Sequence, residues 1–150
     1  MSLKVAVLMG SSSDESKMQP AVETLGKFGV EADVHVMSAH RTPTKVAGFA
    51  AAAREAGYGA IICGAGMAAH LAGAVAANTT LPVIGVPLSG SALNGVDALY
   101  ATVQMPKGIP VATVAVDGSA NAGILVAEML SVTDKEIADK LAEFRAGGAR

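Results

Sequence analysis

Short β-branched apolar runs alternate with stretches of helical period along the whole chain. Lys4–Met9 is an apolar run that stops at Gly10 and predicts a strand; Asp14–Phe28 follows as a helix, with Met18, Val22 and Leu25 at helical spacing. Ala32–Met37 predicts a second strand and Pro43–Ala56 a second helix, with Thr42 as N-cap and Pro43 in the first helical position. A third strand over Ala60–Cys63 leads to an Ala-rich helix over Ala68–Asn78. Val83–Val86 and Val111–Val116 complete five strands, with a short helical segment near Ala98–Val103 between them. Ala120–Leu130 reads as a helix that is apolar on nearly every face except at Asn121 and Glu128. Thr133-Asp134-Lys135-Glu136 reads as a capping box opening a last helix, whose stripe is Ile137, Leu141 and Phe144 and whose end is Gly147-Gly148.

Strands alternating with helices predict an α/β fold: three layers, αβα, around a five-stranded parallel sheet, with an additional C-terminal helix. The flavodoxin-like strand order is the commonest solution at this length, and right-handed crossovers settle the remaining topology. The helices at 68–78 and 120–130 lack a charged outer face. That pattern predicts burial of these faces between subunits, hence a large homo-oligomer. The C-terminal helix at about 133–147 is expected to pack on a neighbouring subunit.

Composition narrows the picture. In 150 residues, 51% are hydrophobic and 16% charged, against the ~25% charge of an average domain, so disorder is excluded. The length fits one domain, 1–150. A formal net charge of −2 offers no basic field for nucleic acid. The single Cys63 excludes a disulfide scaffold and suits a reducing compartment. Ala56–Val96 carries no Asp, Glu, Lys or Arg, but Gly64, Gly66, Gly73, Pro82, Gly85, Pro87 and Gly90 break it, so it does not read as a membrane span. Val5–Met9 is too short for a signal-peptide core. A cytoplasmic protein is expected.

Ligands in such sheets bind beyond the carboxyl ends of the strands, near the switch point between the first and third. Three strand-to-helix loops fall there and hold two of the three histidines. Gly10-Ser11-Ser12-Ser13-Asp14 joins a glycine, three hydroxyls and a helix start, a phosphate-holding combination in which Asp14 would suit ribose hydroxyls. The competing reading is that Ser13 or Asp14 merely caps the helix. Ser38-Ala39-His40-Arg41-Thr42-Pro43 offers Arg41, a fixed cation for phosphate, and His40, able to trade a proton near neutral pH. Gly64-Ala65-Gly66-Met67-Ala68-Ala69-His70 matches G-x-G-x-x-A, but it follows the third strand and no acidic residue stands about twenty positions on, which speaks against a dinucleotide. Its glycines would let backbone N–H groups approach a small ligand, and His70 either contacts that ligand or only satisfies itself. His35, mid-strand with no polar companions, reads as structural. No zinc ligand set and no G-x-S-x-G are present. The residues themselves point to a small-molecule phosphate site with a histidine proton carrier.

The stretches Met9-Gly10-Ser11-x-Ser13-Asp14, Ser38-Ala39-His40-Arg41-Thr42-Pro43, Gly64-Ala65-Gly66-x-Ala68-Ala69-His70-Leu71, Leu81-Pro82-Val83-Ile84-Gly85-Val86-Pro87 and Val103-Gln104-Met105-Pro106-x-Gly108-Ile109-Pro110-Val111, with Asn121-Ala122, occur in that order. Together they resemble the 5-(carboxyamino)imidazole ribonucleotide mutase family of bacterial purine biosynthesis, over nearly the whole chain. The resemblance implies a single catalytic domain that needs no metal or organic cofactor and assembles as an octamer. It implies transfer of a carboxylate from the exocyclic nitrogen of the substrate to the neighbouring ring carbon. His40 would shuttle the proton; Ser11, Ser13, Ser38 and Arg41 would hold the phosphate and Asp14 the ribose. Ala39 belongs to the same substrate-binding set. Ala65 and Gly66, with His70 and Leu71, would line the base and carboxylate.

Two positions depart from that family pattern: Met67 and Ala72 stand where Gly and Pro are expected. Met67 puts a flexible side chain beside the implied carboxylate pocket and would narrow it. Ser89-Gly90-Ser91 is a candidate flexible lid. Two other functions fit the same pattern: a carboxylase adding free carbon dioxide to aminoimidazole ribonucleotide, and a catalytically silent phosphometabolite-binding protein. Retention of Ala68-Ala69-His70-Leu71 favours the mutase over the carboxylase.

Overall fold

A computed structural model describes residues 3–150. Five strands, β1 (Lys4–Met9), β2 (Ala32–Val36), β3 (Tyr58–Gly66), β4 (Val83–Leu88) and β5 (Ala112–Thr113), form one sheet in the order β2-β1-β3-β4-β5, every pair parallel. This is the flavodoxin-like order expected from the alternation of elements. Six α-helices connect and flank the strands: α1 (Glu15–Lys27), α2 (Pro43–Ala52), α3 (Leu71–Ala76), α4 (Val96–Val103), α5 (Ser119–Ser131) and α6 (Lys135–Ala146).

The two faces of the sheet are separated by the period-two alternation of its strands. Val5, Val7 and Met9 of β1, with Ile62 and Ile84, face Met18, Ala21 and Leu25 of α1 and Ala122, Val126 and Ala127 of α5. Ala6 and Leu8, with Ile61 and Cys63, face Val46 and Ala50 of α2 and Leu71, Ala72 and Val75 of α3. Each large side chain buried this way contributes about 1.5–3 kcal/mol relative to exposure. α4 covers the second face near β4: a Cβ added at Gly85 would overlap Thr102 Cγ2 of α4 and lie 3.3 Å from Ala72 Cβ of α3. The missing side chain of Gly85 leaves the room that Thr102 and Ala72 occupy above β4.

Several boundaries differ from the sequence reading. β3 and β4 run further, to Gly66 and Leu88, while β5 shrinks to two residues beside one neighbour. The Ala-rich helix begins at Leu71, not Ala68. A 3₁₀ turn over Ser12–Asp14 precedes α1 and is capped by Ser11, whose hydroxyl accepts from Ser13 N–H. Neither Ser13 nor Asp14 caps with its side chain. The capping box of α6 does not form as read: Asp134, not Thr133, accepts from the N–H groups of Glu136 and Ile137, and Glu136 is engaged with Lys140.

The two helices expected to need a partner are largely covered within the chain. No residue of α3 is exposed, and only Asn121 of α5 is. α6 lays Ile137 and Leu141 into the core formed with α1 and α5, and Phe144 meets Phe28 edge-on at 5.5 Å. The apolar stripe of α6 is therefore spent on its own chain, and a neighbouring subunit would have to use other faces of that helix. An uncovered apolar stripe lies instead along α4 and the turn before it, formed by Leu93 in the turn and by Val96, Tyr100 and Val103 of the helix. Leu93 and Tyr100 are 63% and 64% exposed. Among the described residues, no helix is long and apolar enough to cross a membrane.

Candidate active site

The loops after β1, β2 and β3 leave the same edge of the sheet because adjacent parallel strands end side by side. They enclose an open pocket of about 390 Å³. Ser11, Ser13 and Asp14 line it from the first loop; Ser38, Ala39, His40 and Arg41 from the second; Ala65, Gly66, His70 and Leu71 from the third. All eleven candidate catalytic and substrate-binding residues are thus brought together, while Ser12 of the first loop stays outside the lining. Gly10, Met67 and Ala68 complete the lining.

Ser38 organises the second loop. Its Oγ accepts from the backbone N–H groups of His40 at 3.3 Å and Arg41 at 3.1 Å. Its own N–H donates to Thr42 Oγ1 at 2.9 Å, and that hydroxyl donates back to Ser38 O at 3.1 Å. Thr42 occupies the N-cap position of α2 but spends its side chain on this turn rather than on the helix. The Ser38 hydroxyl hydrogen remains available to a ligand in the pocket. In the first loop, Ser11 Oγ and Ser13 Oγ are 2.9 Å apart, so the two hydroxyls act as one polar patch.

The third loop turns sharply. Ala69 N–H donates to Met67 O at 2.9 Å and His70 N–H to Ala68 O at 2.8 Å. This double turn, which a helix starting at Ala68 could not make, delivers His70 to His40: His40 Nε2 and His70 Nδ1 are 2.8 Å apart. His70 is thus bonded to the other candidate histidine, an arrangement neither local sequence could announce. Met67, at the corner, has φ +54° and remains exposed.

Asp14 is half-buried at the pocket, and burial raises its carboxyl above the ordinary range, offset in part by the charge of Lys17. Lys17 itself escaped the sequence reading. Its Nζ donates to Ser89 O at 2.6 Å, while Ser89 N–H donates to Asp117 Oδ1 at 2.9 Å and Ser89 Oγ–H to Asp117 Oδ2. Desolvation works against the Asp117 carboxylate, but the bonds from Ser89 prevail and hold its pKa below the ordinary value. The Ser89-Gly90-Ser91 segment is therefore tied down at Ser89 and, through Ser91 Oγ on Asp97 Oδ1 at 2.9 Å, at its far end. It does not line the pocket.

His35, read as structural, lies outside the pocket, but its expected lack of polar companions is not met. It has polar company: its Nε2 lies 3.4 Å from Tyr58 OH, which donates to Asp33 Oδ2 at 2.8 Å, and its ring stacks obliquely on Phe49. That cluster sits at β2 and the start of β3, outside the pocket lining. Cys63 is buried, and burial pushes its thiol pKa far up, so it is inert. Among the described residues, no group of three His, Cys, Asp or Glu is placed to hold a metal ion.

The family model described as AIR carboxylase matches residues 4–150. The chain belongs to the AIR carboxylase family. Within that family it is 52% identical to the N5-carboxyaminoimidazole ribonucleotide mutase of Vibrio vulnificus over 145 residues, covering 95% of this chain and 90% of the relative. It is 51% identical to the protein of the same name in Escherichia coli over 144 residues, covering 95% and 85%. Among solved structures, PurE from Treponema denticola superposes with a TM-score of 0.87 at 33% identity, covering 97% of this chain and 90% of that one.

Proposed function

We propose that this AIR carboxylase family member is an N5-carboxyaminoimidazole ribonucleotide mutase of de novo purine biosynthesis. It moves the carboxylate of its substrate from the exocyclic nitrogen to the adjacent ring carbon, giving 5-amino-1-(5-phosphoribosyl)imidazole-4-carboxylate. About half of the residues are identical to mutases matched over most of both chains. The observation that carries the reading in the structure is one pocket holding a bonded histidine pair beside two serine hydroxyls and an arginine.

The chemistry fits that equipment. His40 donates a proton to the exocyclic nitrogen as its bond to the carboxyl carbon breaks, the bonding pair staying on nitrogen and carbon dioxide leaving. The electron-rich ring carbon then attacks carbon dioxide, and neutral His40 removes the proton from that carbon. The isomerisation returns His40 to its starting state, so one residue serves as acid and then base. Ser11, Ser13, Ser38 and Arg41 hold the phosphate, Arg41 by paired charged hydrogen bonds. Asp14 accepts from the ribose hydroxyls. Ala39, Ala65, Gly66, His70 and Leu71 surround the base and carboxylate. Holding carbon dioxide beside its acceptor turns a bimolecular recombination into a local one.

The chain acts as a single catalytic domain in a cytoplasmic homo-oligomer, with the octamer as the expected assembly. The exposed apolar stripe on α4 supports the association. The test compares two substrates on the purified protein: N5-carboxyaminoimidazole ribonucleotide, and aminoimidazole ribonucleotide with excess bicarbonate. Rapid turnover of the first alone is the expected result. Efficient use of the second alone would make the protein a carboxylase, and binding without turnover of either would make it a binding protein.

A further inference from the structure

Among the described residues, Met67 is the one long apolar side chain exposed at the pocket. Leu71 of the same lining is buried, the remaining long side chains there are polar, and the others are small. Met67 is 67% exposed, and its φ of +54° lies in the left-handed region, where a Cβ meets its own backbone and glycine does not. The double turn that carries His70 to His40 explains the backbone angle. It does not explain the side chain. A glycine would make the same turn without strain and without leaving a thioether chain in water. A strained backbone and an uncovered apolar side chain, on the same residue at the mouth of a reaction pocket, point to a partner that the side chain meets only when the pocket is filled.

We propose that Met67 is the water-excluding cover of the reacting group: its side chain folds over the bound imidazole and keeps carbon dioxide in the pocket between breaking of the nitrogen–carbon bond and formation of the carbon–carbon bond. This rests on the mutase reading above. Methionine suits the task, because three rotatable bonds and a polarisable sulfur let it lie against a flat ring without fixed shape complementarity. Without the cover, the same first step has a second exit. The nitrogen keeps its new proton, carbon dioxide diffuses out, and aminoimidazole ribonucleotide is released in place of product.

The experiment uses N5-carboxyaminoimidazole ribonucleotide with a ¹³C-labelled carboxyl group in unlabelled bicarbonate buffer, with an enzyme-free control. It reads the fraction of product retaining label and the amount of aminoimidazole ribonucleotide released per turnover. The unmodified protein retains most of the label. Met67→Gly releases several-fold more aminoimidazole ribonucleotide, with an unfolding midpoint equal to or above that of the parent because the left-handed strain is gone. Met67→Asn, which tolerates the same backbone but is polar, leaks similarly, and Met67→Leu restores most of the retention lost in Met67→Gly. Equal retention by the parent, Met67→Gly and Met67→Asn overturns the proposal. So does a loss of retention that accompanies a fall in oligomer mass, since Met67 would then be a subunit contact. Failure of the parent to convert the substrate overturns the mutase reading itself, a result distinct from conversion with unchanged retention.

Discussion

His40 Nε2 and His70 Nδ1 stand 2.8 Å apart with their rings nearly perpendicular, at 79°. Two imidazoles bonded through these nitrogens need one N–H and one lone pair, so each ring sets the tautomer of the other. For a residue that must give one proton to nitrogen and then take another from carbon, a neighbour that fixes which ring nitrogen carries the proton is functional equipment. His40→Asn should lower kcat by about 10²–10⁴, the usual worth of a positioned general acid–base, while product still binds by calorimetry. His70→Leu should lower kcat about tenfold with a smaller change in KM. Full activity in His40→Asn would remove it from the mechanism.

Asp14 couples binding to stability with opposite signs. Its folded pKa is raised by burial, so between its unfolded value near 3.8 and that raised value the native state holds a proton the unfolded chain has lost. Stability from this group is therefore greatest below pH 3.8 and falls as pH rises through that window. Asp14→Asn should raise the unfolding midpoint at pH 7, with the gain disappearing at pH 3.5, and should raise KM. Paired thermal melts at the two pH values test the sign; a less stable variant at pH 7 contradicts it.

Gly85 marks a close approach that no larger residue can make. The added Cβ of Gly85→Ala would overlap Thr102 of α4 and press on Val111, so destabilisation of about 1–3 kcal/mol is expected from overpacking. A urea titration reads it as a lower midpoint at unchanged slope. An unchanged midpoint would mean that α4 moves away freely.

The stripe on α4 is the surface expected to join subunits. Val96→Glu with Tyr100→Glu puts two charges into it while leaving the buried Ala98 and Thr102 of the same helix alone. Light scattering should show a smaller particle than the parent, with the helical circular dichroism kept. An unchanged mass places the contact elsewhere.

How far the chain could be read without coordinates depends on the range of the interaction concerned. Strand and helix identity was legible for β1, α1 and α5 because it rests on periodicities of two and 3.6, which neighbours in sequence carry. Strand order followed, since parallel connections leave few solutions. The pocket residues were legible too, because parallel strands deliver their following loops to one edge. Caps were less so: Thr42 and Thr133 have the right chemistry for an N-cap, but Thr42 is drawn to Ser38 and Asp134 takes the role beside Thr133. Local propensity ranks such competitors within a fraction of a kcal/mol, and the surrounding turn decides.

The alternation of elements, the parallel sheet, the three loops and the family pattern they carry are all written in consecutive residues. It took the assembled fold to bring His70 to His40 across 30 residues and Lys17 to Ser89 across 72, to cover most of α5 with its own chain, and to leave Met67 both strained and bare. The division has a physical reason. Periodicity and turn chemistry are properties of a few consecutive residues, whereas a hydrogen-bond partner or a covered face exists only once distant segments occupy the same space.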